Sequence, residues 1–369
     1  MTDYGLAYGA TADGLWVRVG DQALDLAAAE ERGLVNAGGA LRQSRLDVHL
    51  AQGPAAWRAV RRQLSELLTD PSEVRPLLRP VDDLVLQLPF TVADYVDFYS
   101  SENHASNVGR LFRPGQPPLP PNWKHLPIGY HGRAGTVVVS GSDITRPCGQ
   151  RKEADGPVYG PSTRLDIEAE VGFVVGVPSQ LGERVPVDAF ADYVFGVVLL
   201  NDWSARDIQA WEYQPLGPFL GKSFATSISA WVTPLEALTN AWVPAPPQDP
   251  PVVSYLADPD RRGLDLRLEV DLNGEVVSRP PFRTMYWTPA QQLAHLTVNG
   301  ACLRTGDLFA SGTVSGPTRG ETGSLLELNW GEAFLADGDT VTIRATAPGP
   351  GGTEIALGEV TGTIRPAEE

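Results

Sequence analysis

The 369-residue sequence predicts a mainly β fold with helices added to it, an α+β architecture in two domains at residues 1–88 and 89–369. Three observations predict it. The length and the 42% hydrophobic content supply a sizeable core and favour two domains over one. From about residue 89 onward, glycine and proline punctuate many short alternating segments, the pattern of a large β-structure that carries function on its loops. In LDLRLEVDLNGEVV (264–277), Leu264, Leu266, Leu268 and Val270 share one face, and Asn273-Gly274 makes a tight hairpin turn.

Taken in order, LWVRVG (15–20) reads as a strand and AAWRAVRRQLSELL (55–68) as a helix before a proline-punctuated exit. No cluster of catalytic residue types falls in this first part. In TVADYVDFYSSENHASNVGRLFRPG (91–115), Asp97 and Tyr99 lie on one side of an extended segment, and His104 follows in a helix starting near Ser101. RLDIEAEVGFVVG (164–176) reads as a strand. VFGVVLLNDWSARDIQAWEY (194–213) reads as a buried strand that turns into a helix, with Ser204 and Asp207 as a capping box. VPAPPQDPP (243–251) reads as a surface connection and not as a domain linker. WTPAQQLAHLTVNG (287–300) is the best-specified helix: Thr288 as N-cap, Pro289 at the first position, Gln291 completing a capping box and Gly300 near the stop. GSLLELNW (323–330) and DTVTIRATA (339–347) read as strands, and there is no internal repeat of fixed period.

Charge narrows the function. A net charge of -16 and a sequence pI near 4.8 repel phosphate backbones and anionic membrane surfaces, which excludes nucleic acid and membrane as expected partners. The terminus MTDYGLAYGATADG lacks a basic stretch followed by an apolar one, and VFGVVLL (194–200) is too short to span a bilayer, so the expected location is the cytoplasm. Two cysteines, Cys148 and Cys302, suggest neither a disulfide framework nor a cysteine zinc site. Of five scattered histidines, His49, His125, His131 and His295 are assigned to structure or surface.

The acids are more informative. On a strand, Asp166, Glu168 and Glu170 share a face, and the strand runs straight into apolar VGFVVGV, so the row stands at the edge of the core. Unpaired carboxylates there are costly or become protonated, unless a divalent cation resolves the repulsion. A solvated strand face is the plain alternative. Asn201 and Asp202 end the next buried strand, where ligands commonly bind, and Arg206, Gln209 and Tyr213 then fall on one helix face. A routine Asp202–Arg206 salt bridge is the plain reading of that pair. Oxygen-only ligands suit magnesium or calcium in preference to zinc. GPFLGKSFAT (217–226) has three residues between its glycines where a phosphate loop needs four, and Lys222 reads instead as a lone cation near the acids. Glu327, within a run of leucines, needs a partner, and a histidine such as His104 would gain from it the orientation of a general base.

Together, DYVDFYSSENHASNVGRLFR, HLPIGYHGR, DIEAEVGF, NDWSARDIQAWEYQPLGPFLGKSF, ASGTVSG and LLELNW resemble the fumarylacetoacetate hydrolase family, in this order and across roughly residues 90–335. YHGR and NDWSARDIQAWEY look like the family's namesake enzyme, whereas the wider superfamily shares mainly the paired glutamates and the later aspartate. The resemblance implies an SH3-like amino-terminal barrel followed by a mixed β-roll domain, a homodimer, and one Mg2+ or Ca2+ per active site. It implies hydrolysis of a 1,3-diketo acid, 4-fumarylacetoacetate, to fumarate and acetoacetate, the last step of tyrosine and phenylalanine degradation. The implied metal residues are Asp97, Glu168, Glu170 and Asp202, with Lys222 and Thr226 beside them. His104 is the implied base, oriented by Glu327, and Arg206, Gln209 and Lys222 flank the reacting carbonyl. Tyr99, Arg113, Tyr130, Tyr213 and Thr313 are the implied substrate contacts. Two features depart from the pattern: Ala225 replaces a glycine of the better-known animal enzymes, and Asp166 has no ligand role. An acylpyruvate hydrolase or keto-acid decarboxylase of the same superfamily stays open, as does a silent metal-binding scaffold. The strings around Tyr130, Arg113 and Tyr213 favour a longer, doubly carboxylated substrate, and intact His104, Glu327 and Lys222 speak against silence.

Overall fold

The structure is a computed structural model and describes residues 3–70 and 72–368. Its centre is set by two apolar runs that offer no polar face, the pattern of strands covered on both sides. Ala169–Val175 and Val194–Asp202 pair antiparallel and are buried throughout. They lie inside a 13-stranded sheet, flanked by Leu308–Ala310, Tyr95–Phe98 and Gly129–His131 on one side and by Trp231–Pro234 on the other. Tyr8–Thr11 pairs with both Gly14–Val19 and Trp231–Pro234, so the amino-terminal strands continue the same sheet.

Each face of the central pair feeds its own core. Val171, Phe173, Val197 and Leu199 share one core with Leu268, Val270, Ile343 and Val360 of a five-stranded sheet. Val174, Val198 and Leu200 share the other with Trp57, Val60 and Leu64, the buried stripe of the helix Pro54–Leu67. No helix among the described residues is long and apolar enough to cross a membrane.

Most expected elements form. The hairpin Arg267–Leu272 and Glu275–Ser278 turns through Asn273 and Gly274, whose positive φ values of 56° and 87° are the pair that a tight hairpin turn demands. The helix Pro289–Thr297 carries its complete Thr288/Gln291 capping box. Three expectations are corrected. The 323–330 segment is not a strand: Leu325–Leu328 is a helical turn, started by the Ser324 side chain accepting from the Glu327 N–H. The 164–176 strand is interrupted at residues 167 and 168, where the Asp166 and Asn201 side chains take the backbone N–H groups of Ile167 and Glu168. The Ser204/Asp207 capping box does not form, because Asp207 turns to Ser162 and Thr163, and Ser204 donates to the Asp202 carbonyl.

Candidate active site

Three strand ends deliver the four acids to one place. Asp97 comes from Tyr95–Phe98, opposite Tyr130 and Ala310; Glu170 opens Ala169–Val175; Asp202 closes Val194–Asp202, opposite Thr226. Glu168 stands in the interruption just before Ala169, its carbonyl bonded to the Asp202 N–H. The four carboxylates are buried, and one oxygen from each lies within 4.8 Å of all the others. Such crowding raises the question of what balances the charge. Lys222 Nζ donates to Glu168 and, at 2.7 Å, to Asp202, while Tyr130 Oη and Thr226 Oγ1 donate to Asp202 at 2.7 and 2.9 Å. The Gly312 N–H donates to Glu170 at 3.0 Å. Among the described residues, Asp97 Oδ1 and Glu170 Oε1 remain buried with no hydrogen-bond partner.

Electrostatics follow this geometry. Burial, then the Asp202 charge, pushes the Asp97 carboxyl well above the usual carboxylate range; burial, then Asp97, does the same to Glu170. Burial also pushes Glu168 up, but Lys222, Arg206 and His104 together outweigh it and hold that carboxyl low. Burial works against the Lys222 ammonium, and Asp202 and Glu168 overcome it, so the lysine stays charged. Two orphaned carboxylate oxygens among four converging acids are the donor set of a hard divalent cation, and these residues fit one.

Beside the acids, Ser101 caps the helix Glu102–Phe112, and the first turn presents His104. His104 Nδ1 lies 2.7 Å from Glu327 Oε2, and Nε2 lies 3.7 Å from Glu168 Oε1. Burial raises the Glu327 carboxyl, but His104 and hydrogen bonds from Asn107 and Ser324 bring it below its ordinary value. Arg206 does not pair with Asp202. Its Nε donates to Asp166 at 2.8 Å, Nη1 to Gln209 at 3.2 Å, and Nη2 makes a 2.8 Å ionic contact with Glu168 at a poor hydrogen-bond angle.

A cavity of about 370 Å³ opens over these groups. Asp97, His104, Glu168, Arg206, Gln209 and Lys222 reach its wall, as do Tyr99, Arg113, Tyr130, Tyr213 and Thr313. Glu170, Asp202, Thr226 and Glu327 stand behind it. Ala225 is buried in the core that also holds Phe173 and Leu199.

Residues 8–89 match the family described as Fumarylacetoacetase N-terminal, and residues 94–365 match Fumarylacetoacetate (FAA) hydrolase C-terminal. The chain belongs to the fumarylacetoacetate hydrolase family. Fumarylacetoacetase of Caenorhabditis elegans is 46% identical over 356 residues, covering 89% of this chain and 85% of that protein. The human fumarylacetoacetase is 45% identical over 383 residues, covering 95% and 91%. A fumarylacetoacetate hydrolase from psychrophilic Exiguobacterium antarcticum shares the fold at a TM-score of 0.60 and 15% identity, covering 98% of this chain and 99% of that one.

Within this member of the fumarylacetoacetate hydrolase family, several site groups escaped the sequence reading. Glu327 accepts from Asn107 Nδ2, Ser315 Oγ and Ser324 Oγ, each at 2.9 Å. Asn107 follows His104 by one helical turn, a spacing that points both at the same neighbour. Tyr95 is fully buried, its hydroxyl has no hydrogen-bond partner among the described residues, and it precedes Asp97 by two on one strand face, the alternation that could have revealed it.

Proposed function

We propose that this chain cleaves the carbon–carbon bond of 4-fumarylacetoacetate with water, giving fumarate and acetoacetate. The observation that carries the reading is His104, with Glu327 at Nδ1 and Glu168 of the four-acid cluster at Nε2, on the wall of one cavity. Asp97, Glu168, Glu170 and Asp202 would hold one Mg2+ or Ca2+ ion. When bound, such an ion supplies Lewis-acid stabilisation to the keto oxygens of a 1,3-diketone.

The chain's own groups account for the rest. Glu327 at Nδ1 fixes the imidazole tautomer and leaves Nε2 free to take a proton from water. The hydroxide adds to the carbonyl next to the fumaryl group. Lys222, charged despite its burial, neutralises the resulting oxyanion, with Arg206 and Gln209 beside it. Collapse breaks the carbon–carbon bond, and the electron pair leaves as the acetoacetate enolate, which a proton then quenches. Tyr99, Arg113, Tyr130, Tyr213 and Thr313 serve as substrate contacts, and Thr226 steadies Asp202.

The reading extends to a homodimer in the cytoplasm and to a division at residues 88/89, with an SH3-like first unit. The junction between the two family matches, at residues 89 and 94, supports the division. Incubating the protein with fumarylacetoacetate and magnesium, and following loss of the diketone absorbance, tests the activity. Preference for a short acylpyruvate would replace the substrate, and no turnover of either would leave a silent scaffold.

A further inference from the structure

Asp166 is no member of the four-acid cluster and does not reach the cavity, yet its carboxylate is completely buried and fully engaged. Oδ1 accepts from the Ile167 and Leu325 N–H groups, both at 2.8 Å. Oδ2 accepts from the Leu326 N–H at 3.2 Å and from Arg206 Nε at 2.8 Å. Leu325 and Leu326 begin the helical turn that carries Glu327. A turn of four residues has too few internal bonds to hold its own direction, so its orientation has to come from outside. Asp166 supplies it from one side and Ser324 from the other.

The same carboxylate aims Arg206, whose Nη2 meets Glu168; Glu168 lies against His104, and His104 returns to Glu327. The polar contacts therefore close a ring in which Asp166 is the link between the residue that orients the base and the cation beside the reacting carbonyl. We propose that Asp166 is a positioning residue of the reaction, fixing Glu327 and Arg206 relative to each other. This inference rests on the proposed roles of His104 and Glu327.

Asp166→Asn keeps size and shape, but each oxygen of Asp166 faces two donors, so the NH2 group meets donors whichever way the amide turns and two contacts are lost, one of them always to the turn at 325–326. The expected result is a kcat reduced about 10–100-fold with little change in KM, because the groups misplaced act in the transition state. Glu170 and Asp202 are held by Gly312, Tyr130, Lys222 and Thr226, and Glu168 keeps its contact with Lys222, so calcium affinity measured by calorimetry should change far less than kcat. A wild-type kcat, a raised KM alone, or a calcium affinity that falls in step with kcat would each overturn the assignment. Asp166→Ser is measured alongside it. If circular dichroism shows both variants unfolded, Asp166 is a folding residue only and the inference fails. A wild-type protein that turns over no substrate defeats the proposed function itself, whereas a fully active variant defeats only this inference.

Discussion

His104 has no unusual sequence context; its chemistry comes from what surrounds it. Glu327 is 223 residues away and itself held by three donors, so the imidazole has one orientation. Removing His104 should remove the proposed general base and little packing. His104→Ala is expected to lower turnover of fumarylacetoacetate by about 10²–10⁴ while the circular dichroism spectrum stays unchanged. Turnover within a few-fold of wild type would mean that another group deprotonates the water. The residue types of the site were legible because carboxylates in apolar strings are costly and so call for an explanation. Partner choice was not. Arg206 stands four residues from Asp202 but pairs with Asp166 and Glu168, since the break in the strand before Ala169, invisible to periodicity, turns those acids toward the helix.

At the scale of elements, local signals held where no tertiary partner competed for the same groups, and failed at Ser204/Asp207, where Ser162 and Thr163 take the Asp207 carboxylate. The Thr288/Gln291 box and the Asn273-Gly274 turn formed as read, because each rests on hydrogen bonds or φ values within a few residues. LLEL at 325–328 is as compatible with a buried helical turn as with a strand, and tertiary bonds donated by the Leu325 and Leu326 N–H groups to Asp166 decided it. The His104 helix carries a constraint of its own. A Cβ on Gly109 would sit 1.8 Å from the Pro118 carbonyl oxygen, which also accepts from Arg113 on the cavity wall. Gly109→Ala should cost about 1–3 kcal/mol in urea unfolding and raise KM as Arg113 is displaced; an unchanged midpoint and KM would show that the 113–120 segment yields freely. In the helix Asp47–Ala51, His49 is fully buried against Tyr8 and Phe195, and burial lowers its pKa. The unfolded chain therefore takes up that proton first. Stability from neutral His49 is complete above about pH 6.5, the unfolded value, and is lost as pH falls toward the lower folded value. Thermal melts between pH 7 and 5 should fall more steeply for wild type than for His49→Phe; parallel curves would assign the acid loss elsewhere.

The whole molecule concentrates charge where it can least afford repulsion. A net charge of -16 already works against compaction, and the sheet gathers four buried carboxylates at the meeting point of its central strands. Lys222 and Arg206 balance part of this, on Glu168 and Asp202, and leave Asp97 Oδ1 and Glu170 Oε1 without a partner among the described residues. A ligand that binds only the folded chain stabilises it by mass action, by about 2.7 kcal/mol at a hundred times its Kd. For a chain of this size each kcal/mol is worth roughly 1.3 °C, so Mg2+ or Ca2+ at that excess should raise the melting temperature by about 3–4 °C over the protein in chelator. Diffuse neutralisation of the acidic surface would produce a rise too, but sodium chloride at matched ionic strength would reproduce it and Glu170→Gln would retain it. Binding at the four-acid cluster predicts the reverse on both counts: no equivalent rise with sodium, and a much smaller one in Glu170→Gln, whose amide oxygen is a weaker ligand than the carboxylate it replaces. Equal melting temperatures in chelator and in divalent cation would remove the ion from the site, and with it the source of Lewis-acid stabilisation on which the proposed cleavage depends.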